Sequence, residues 1–138
     1  MEIHSDVAPK VTTQSYNPIK MIGGVELMPL PVMQDDGGYF AELARLDNGM
    51  LNMFSNPIAV KQISLSQLQP GTIKAYHLHK MQTDVWFVPP QFSMIVNLHD
   101  VRADSPTYNT HMRFVMGGSN PKLLAIPPGV AHGIANLT

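Results

Sequence analysis

The sequence predicts an all-β protein with an antiparallel barrel or sandwich fold, and three observations lead to this class. Apolar and polar residues alternate in short segments, which is the period of a strand with one buried face. Twelve prolines and ten glycines are spread among these segments, whereas charged residues make up only 14% of the chain. No helical pattern extends beyond about three turns, so long helices are not expected.

The strand-like segments follow one another along most of the chain. Residues 1–18 are polar and without periodicity, and we expect an N-terminal arm there and a single domain over residues 19–138. The best helical candidate, residues 41–51, contains Gly49, and residues 46–57 are predicted to form a loop. Eight or nine strands at this spacing predict the barrel or sandwich. The segments are 24–33, 39–45, 59–68, 73–79, 84–88, 92–101, 111–116 and 123–126, with a last strand after the turn at 127–129.

Composition narrows the classes of partner and location. Nine basic and ten acidic residues leave the net charge near zero, and no basic stripe is present, so no nucleic-acid partner is expected. No run of about 18 apolar residues and no signal-peptide pattern occur, so we expect no membrane association and a cytoplasmic location. The lack of cysteine agrees with a reducing compartment. Low charge implies apolar surface that association would cover, and we expect a homodimer.

Two histidines stand one residue apart in the segment GTIKAYHLHKMQTD. On a strand, His77 and His79 lie on one face about 6.5–7 Å apart, while Lys74 lies on the other unless a bulge intervenes. Asp84 begins the next strand and is a candidate third ligand for an ion. His132 follows the Pro-Pro-Gly turn, and in a barrel its strand can lie beside this pair.

These residues resemble both sequence motifs of the cupin superfamily. In the first motif, Gly71, His77 and His79 match the glycine and the two histidines, and Asp84 takes the glutamate position. The second motif is matched by residues of the Pro-Pro-Gly turn and of the strand after it, namely Pro127, Gly129, His132 and Asn136. The resemblance implies a cupin-type antiparallel β-barrel or jelly roll with its site inside the barrel.

A closer resemblance, along nearly the whole chain, is to the dTDP-4-dehydrorhamnose 3,5-epimerase family. The most specific matches are DVRADSPTY (100–108) and IPPGVAHG (126–133), and residues 24–42 and 62–79 resemble the family's opening strand and its Arg-Gly-Leu-His strand. The resemblance implies an epimerase or isomerase of dTDP-4-keto-6-deoxyhexoses. Its small-molecule partner would be such a nucleotide sugar or another carbohydrate, and no cofactor is implied.

The resemblance also implies roles for single residues. His77 takes the position of the base that removes the proton next to the ketone, and Asp100 is the carboxylate near it. A histidine with a pKa near neutrality suits this proton transfer. Lys74 takes the position of a cation that holds the diphosphate or the sugar, and His132 contacts the substrate. The other expected substrate-binding residues are Glu42, Gln62 and Arg102.

The sequence departs from the family pattern at several positions. Gly37 stands where the family has an arginine that contacts the nucleotide, and His79 stands where it has a glutamine. Lys74 replaces a second arginine and lacks the bidentate fork that suits phosphate. The family's catalytic tyrosine lies beyond the point where this sequence ends, at Thr138. We therefore expect either a longer chain, with the tyrosine and the closing strands, or an impaired reaction.

Two other functions stay open at this level. A metal-binding cupin, either an oxygenase or a small-molecule isomerase, would hold one divalent ion of Fe, Mn, Ni or Zn through His77, His79, Asp84 and His132. A non-catalytic carbohydrate-binding cupin would need neither the tyrosine nor the arginines. The His-x-His-Lys stretch also resembles the sugar 3,4-ketoisomerases, shorter cupins that move protons on a related keto sugar. In the simplest alternative, His77 and His79 only line the barrel interior.

Overall fold

The structure, a computed structural model, describes residues 1–136 and consists almost entirely of antiparallel strands and loops. A 3-10 turn at Ala8–Lys10 is the one helical element of these residues, and no helix in this range is long and apolar enough to cross a membrane. The predicted all-β antiparallel class is confirmed. The strands are β1 (Glu26–Pro29), β2 (Met33–Asp35), β3 (Gly38–Phe40), β4 (Leu46–Asp47), β5 (Met50–Leu51), β6 (Ile58–Ala59), β7 (Ile73–His77), β8 (Asp84–Phe87), β9 (Ser93–Asp100), β10 (His111–Gly117), β11 (Lys122–Ile126) and β12 (Val130–Ala135).

Two sheets face each other and enclose the main core. The four-stranded sheet has the order β10-β9-β12-β7, and the three-stranded sheet has the order β1-β11-β8. Along β9, Met94, Val96 and Leu98 are buried while the residues between them are partly exposed, so alternate side chains point into the sandwich. They belong to one buried cluster with Leu124 and Ile126 of the facing sheet. The core packs against the inner face of the four-stranded sheet, and His77 and His132 lie on β7 and β12 of this sheet.

A third layer of short strands covers the other face of β11. The sheet β4-β5-β6 contributes Leu51 to a second buried cluster, which also contains Leu123 and Ala125. β11 is therefore buried on both faces, which explains why residues 123–126 are continuously apolar instead of alternating. The second cluster stabilises β11. Because β8 pairs with β11, the cluster also supports β8, which begins at Asp84.

The prediction of a loop over residues 46–57 is wrong at its start, where β4 and β5 form a hairpin. Asn48 and Gly49 join the two strands with φ angles of 49° and 78°. An Asn-Gly pair adopts positive φ at low cost and favours a two-residue hairpin turn. The same geometry excludes the helix considered for residues 41–51, and the signal for the hairpin was present in the sequence.

The strand predicted over residues 59–68 is also wrong for most of its length. Only β6 pairs with a neighbour, and the alternating Ile63 and Leu65 are 86% and 98% exposed. No strand of residues 1–136 pairs with residues 60–69. The alternation therefore marks an apolar row that this chain by itself does not bury. The segment 24–33 is a strand only in part: β1 ends at Pro29, and Pro31 lies in the break before β2. The segment 39–45 is a strand only at its start, where β3 ends at Phe40.

None of the first 21 residues belongs to a strand, and all of them are exposed. Within residues 1–18, the apolar side chains of Ile3, Val7, Val11 and Tyr16 face solvent. The division into an arm and a domain over 19–138 stays a prediction, and the last two positions of that range lie outside the described residues.

Candidate active site

The pairing of β7 with β12 brings His77 opposite His132. Two residues further along β12, Ile134 lies opposite Lys74, so β7 contains one extra residue between its two paired positions. This bulge places Lys74 and His77 on the same face, which strict alternation would not allow. That face is the inner one, because His132 and Ile134 pair with the buried Leu98 and Val96 of β9.

Gly133 allows the two strands to approach each other at this bulge. A Cβ atom at position 133 would lie 2.5 Å from the Cβ atom of Ala75 and 3.2 Å from the carbonyl oxygen of Lys74. Only a residue without a side chain fits there unless the strands move apart. The close approach of β7 and β12 therefore explains why a glycine follows His132.

His132 is the buried member of the site, with a relative exposure of 2%. Its Nδ1 donates a hydrogen bond to the carbonyl oxygen of Val130 at 3.0 Å, which leaves the lone pair on Nε2. Burial lowers the pKa of His132, although the hydrogen bond to Val130 and the charge of Asp84 oppose this shift. The ring also meets Trp86 edge to face at 5.2 Å between centroids. Burial therefore favours the neutral form of the imidazole, and the hydrogen bond to Val130 places a hydrogen on Nδ1.

Asp84, at the start of β8, brings a carboxylate from the facing sheet to the histidines. Its Oδ2 lies 3.5 Å from His79 Nε2 and 3.6 Å from His132 Nε2. Gln82 donates a hydrogen bond to Asp84 Oδ1 at 2.6 Å, which fixes the orientation of the carboxylate. We call His77, His79, Asp84 and His132 the histidine cluster.

The cluster is open on the side of β7, the edge strand of its sheet. His77 is exposed, and its ring lies 6.2 Å from that of His132; the rings of His79 and His132 are 5.3 Å apart. Trp86, which packs against the main core, forms one wall of the cluster beside His132. The spacing of Asp84 and Trp86, two residues apart on one strand, was the signal that they share a face.

Asp100 is fully buried in a network of its own. Its carboxylate accepts hydrogen bonds from Arg102 Nε and Nη2, both at 2.8 Å, from Ser105 Oγ at 2.6 Å and from Thr107 Oγ1 at 2.7 Å. The Arg102 guanidinium, followed by the two hydroxyls, holds the pKa of Asp100 well below its usual range. Arg102 Nη2 also donates to the carbonyl oxygen of Gly23 at 2.7 Å.

The described partners of Asp100 differ from those that the resemblance implies. Within residues 1–136, no hydrogen bond or ion pair joins Asp100 to a histidine, and on β12 it lies opposite Val130. The carboxylate in contact with the histidines is that of Asp84. A catalytic role for Asp100 stays a prediction, and the structure gives it a local role that the sequence reasoning did not foresee.

Comparison with known proteins decides the family. A family model described as dTDP-4-dehydrorhamnose 3,5-epimerase matches residues 20–138. The chain belongs to this family. The predicted membership of the dTDP-sugar epimerases and isomerases is thereby confirmed, together with the cupin-like jelly-roll fold and the link to nucleotide-sugar and carbohydrate metabolism.

Three relatives illustrate the similarity. The spore coat polysaccharide biosynthesis protein SpsL of Bacillus subtilis strain 168 is 45% identical over 113 residues, which cover 82% of this chain and 70% of that protein. The crystal structure of a dTDP sugar isomerase from Desulfovibrio desulfuricans G20 is 31% identical, with a TM-score of 0.71 over 83% of this chain and 69% of that one. An epimerase from Legionella pneumophila Philadelphia 1, solved with dTDP-4-keto-L-rhamnose, shares the fold at 21% identity, with a TM-score of 0.66 over 87% of this chain and 64% of that one.

The remaining residues that the epimerase resemblance assigns to substrate lie in different places. Lys74 is on the inner face with His77, and its Nζ donates to Ser66 Oγ at 3.1 Å. Glu42 forms an exposed ion pair with Arg45, and Gln62 bonds Ser64 within the unpaired segment 60–69. The described contacts of Glu42, Gln62 and Arg102 do not involve the histidine cluster. Their roles in substrate binding stay predictions.

Proposed function

We propose that this member of the epimerase family binds a dTDP-linked 4-keto-6-deoxyhexose at the opening beside β7, and that His77 removes a proton next to the ketone. The observation that carries the proposal is the position of His77. It is the exposed histidine of the cluster, it lies on the inner face of the sheet, and it shares that face with the cation Lys74. A base accessible to substrate beside a positive charge suits proton abstraction next to a carbonyl.

The chemistry follows from these two groups. When the carbon–hydrogen bond next to the ketone breaks, the proton passes to the imidazole of His77 and the electron pair forms an enolate with its charge on the ketone oxygen. The ammonium group of Lys74 supplies positive charge on the same face for this oxygen or for the diphosphate. Return of a proton to the opposite face of the same carbon gives the epimer, whereas return at a neighbouring atom gives an isomer.

The nature of the ligand is supported by the relatives. The Legionella protein of the same fold was solved with dTDP-4-keto-L-rhamnose, and the 31% identical Desulfovibrio protein is a dTDP sugar isomerase. The partly buried Trp86 beside His132 offers an apolar wall, and the open side of β7 offers a solvent-facing entrance, of the kind that a sugar ring needs. We also propose that the protein acts in the cytoplasm, where nucleotide sugars are available, and without a cofactor for the proton transfer.

The test is incubation of the protein with dTDP-4-keto-6-deoxyglucose in deuterated water, followed by proton NMR of the sugar. We expect deuterium at a carbon next to the ketone, at a rate proportional to protein concentration. The assay reports the abstraction step alone, so it does not depend on which group returns the proton. Binding of the nucleotide sugar without any exchange would contradict catalysis and leave the carbohydrate-binding alternative.

A second copy of the same chain is the partner that we propose for the open side of the sandwich. Ile73 and Tyr76 of the edge strand β7 are 67% and 62% exposed, and Ile63 and Leu65 form an exposed apolar row in the segment that Lys74 joins to β7. Exposed apolar rows at a sheet edge are typical of surfaces that another chain covers. A homodimer through this side would also enclose the entrance to the histidine cluster.

A further inference from the structure

We propose that Arg102 is a positioning residue for His77, and that it acts through Gly129 of the Pro-Pro-Gly turn on the end of β7. This role rests on the proposed function, in which His77 is the base. The described contacts of the Arg102 side chain do not involve the histidine cluster. Arg102 therefore acts on the backbone that carries the base, and not on the substrate.

One backbone hydrogen bond from the turn holds the end of β7. The last position at which β7 pairs with β12 is His77, opposite His132. Beyond this pair, the amide of Gly129 donates a hydrogen bond to the carbonyl oxygen of His79 at 2.8 Å. Because β7 is the edge strand of its sheet, no strand of residues 1–136 pairs with its other side. The Gly129 amide therefore limits how far the backbone of residues 77–79 moves away from β12.

Gly129 is itself held from the end of β9. The amide of Val101 donates a hydrogen bond to the carbonyl oxygen of Gly129 at 3.4 Å. The side-chain stem of Arg102 packs on the same glycine, since a Cβ atom at position 129 would collide with Arg102 Cγ and would lie 2.8 Å from Cδ. Gly129 thus connects the end of β9 to the end of β7, and the position of its amide depends on where the Arg102 stem lies.

The stem of Arg102 lies in one place because its guanidinium group is fixed. Nε and Nη2 bind the two carboxylate oxygens of Asp100, both at 2.8 Å, and Nη2 also donates to the carbonyl oxygen of Gly23 at 2.7 Å. Asp100 is fully buried and accepts further hydrogen bonds from Ser105 and Thr107. A bidentate pair fixes the plane of the guanidinium, which a single charge contact does not. The Asp100 network is therefore a rigid support for the turn.

The same support reaches the buried histidine. Val130 follows Gly129, is 1% exposed and lies opposite Asp100 on β9. Its carbonyl oxygen accepts the hydrogen bond from His132 Nδ1 at 3.0 Å, and the ring of His132 lies 6.2 Å from that of His77. A displacement of the turn would therefore move both the strand of the base and the ring beside it. A misplacement of about 1 Å at a reacting group can lower a rate by about 100-fold.

Two simpler roles for Arg102 predict different kinetics. Removal of a substrate contact would raise KM, whereas removal of a purely stabilising ion pair would leave kcat unchanged in any variant that folds. Removal of a positioning residue lowers kcat in the folded variant and changes KM little, because the substrate still binds while the base is displaced.

The test measures deuterium exchange into dTDP-4-keto-6-deoxyglucose at several sugar concentrations for Arg102→Met, which keeps the stem but loses its anchor. We expect kcat to fall by about 100-fold and KM to change by less than about threefold. Arg102→Lys keeps the charge that faces Asp100 but not the fork, and it should recover part of the loss. The matched control is Arg113→Met, at an exposed position on the outer face of the same sheet, which should exchange at the rate of the unmodified protein. Urea denaturation establishes which variants are folded, and Arg102→Lys replaces Arg102→Met in the test if the latter is not.

A second readout needs no substrate. Hydrogen exchange of the Gly129 amide should become at least about 10-fold faster in the folded Arg102 variant. The reference is the amide of Gly118, which donates to the carbonyl oxygen of Phe92 at the other end of the sheet and should be unaffected.

The positioning role is overturned if the folded variant keeps the kcat of the unmodified protein, or if KM alone rises. It is equally overturned if hydrogen exchange of Gly129 relative to Gly118 does not change. An unmodified protein that incorporates no deuterium contradicts the proposed function instead, and the Gly129 amide then decides separately whether Arg102 holds the end of β7.

Discussion

At the scale of single residues, the clearest lesson comes from Asp100. The segment Asp-Val-Arg-Ala-Asp-Ser-Pro-Thr resembles a family motif and points to a catalytic carboxylate, yet its polar side chains bond one another. Arg102, Ser105 and Thr107 all follow Asp100 within seven residues, so a compact turn brings them to it without any distant element. The motif therefore located a polar segment correctly. It did not show whether these residues form a structural hydrogen-bond network or a catalytic site, because both require the same polar residues.

The Asp100 network predicts a specific loss of stability. Asp100→Asn removes the charge that faces the partly exposed Arg102, and breaking such a buried pair costs about 3 kcal/mol of the free energy of unfolding. Urea denaturation at neutral pH measures the difference. Asp104→Asn, at an exposed position of the same loop, is the control and should change stability little. Equal stability of the Asp100 and Asp104 variants would show that the network contributes nothing.

The same residue predicts how stability depends on pH. The pKa of Asp100 is depressed in the folded state, so its contribution is present above the unfolded value of about 3.9 and is lost as the pH falls below it. Urea titrations between pH 7 and pH 3 should show a steeper acid loss for the unmodified protein than for Asp100→Asn. Parallel pH profiles for the two proteins would contradict the assignment.

At the scale of elements, the strands with a buried face were predictable and the others were not. β9 alternates because one face is solvated, and β11 is continuously apolar because both are covered. Residues 60–69 alternate just as clearly, but no strand of the described chain pairs with them, and alternation alone carries no information about what covers the apolar row. The alternation of residues in β7 also could not predict the bulge, because the bulge arises from the pairing with β12.

The bulge predicts a role for Gly133. Gly133→Ala places a Cβ atom 2.5 Å from that of Ala75, so the strands must separate, at a cost of about 1–3 kcal/mol in the free energy of unfolding. Thermal or urea denaturation measures it. Gly37→Ala, where the new Cβ would meet only Asp35 Oδ1 at 3.5 Å, is the control. Ala75→Gly combined with Gly133→Ala should recover part of the loss, and no recovery would contradict the assignment to this contact.

At the scale of the whole molecule, the sandwich explains how distant residues meet. β12 lies between β9 and β7, and β8 of the facing sheet supplies Asp84 and Trp86, so the cluster forms at the mouth between two sheets. The motif spacing predicted the meeting of His77 with His132 correctly. It did not predict that His77 stands apart from the three other groups, because that separation arises from the bulge and from the loop that carries His79 beyond the strand.

The exposed apolar side chains of the N-terminal arm predict that the oligomer depends on this segment. We expect sedimentation equilibrium at micromolar concentration to report a dimer for the full chain, because the apolar side chains of Val7, Val11 and Tyr16 are exposed in the single chain. Deletion of residues 1–18 should shift the equilibrium towards the monomer. A full chain that sediments as a monomer would contradict the homodimer, and a dimer unchanged by the deletion would contradict the role of the arm.

The central claim is that His77, and not another histidine, removes the proton next to the ketone. The most direct measurement compares the rate of deuterium exchange into dTDP-4-keto-6-deoxyglucose for His77→Gln and for His111→Gln, an exposed histidine that pairs with His99 on the outer face of the same sheet. We predict that His77→Gln slows exchange by about 100- to 10,000-fold, as loss of a general base does, while His111→Gln exchanges at the rate of the unmodified protein. Equal exchange rates for the two variants would contradict the account.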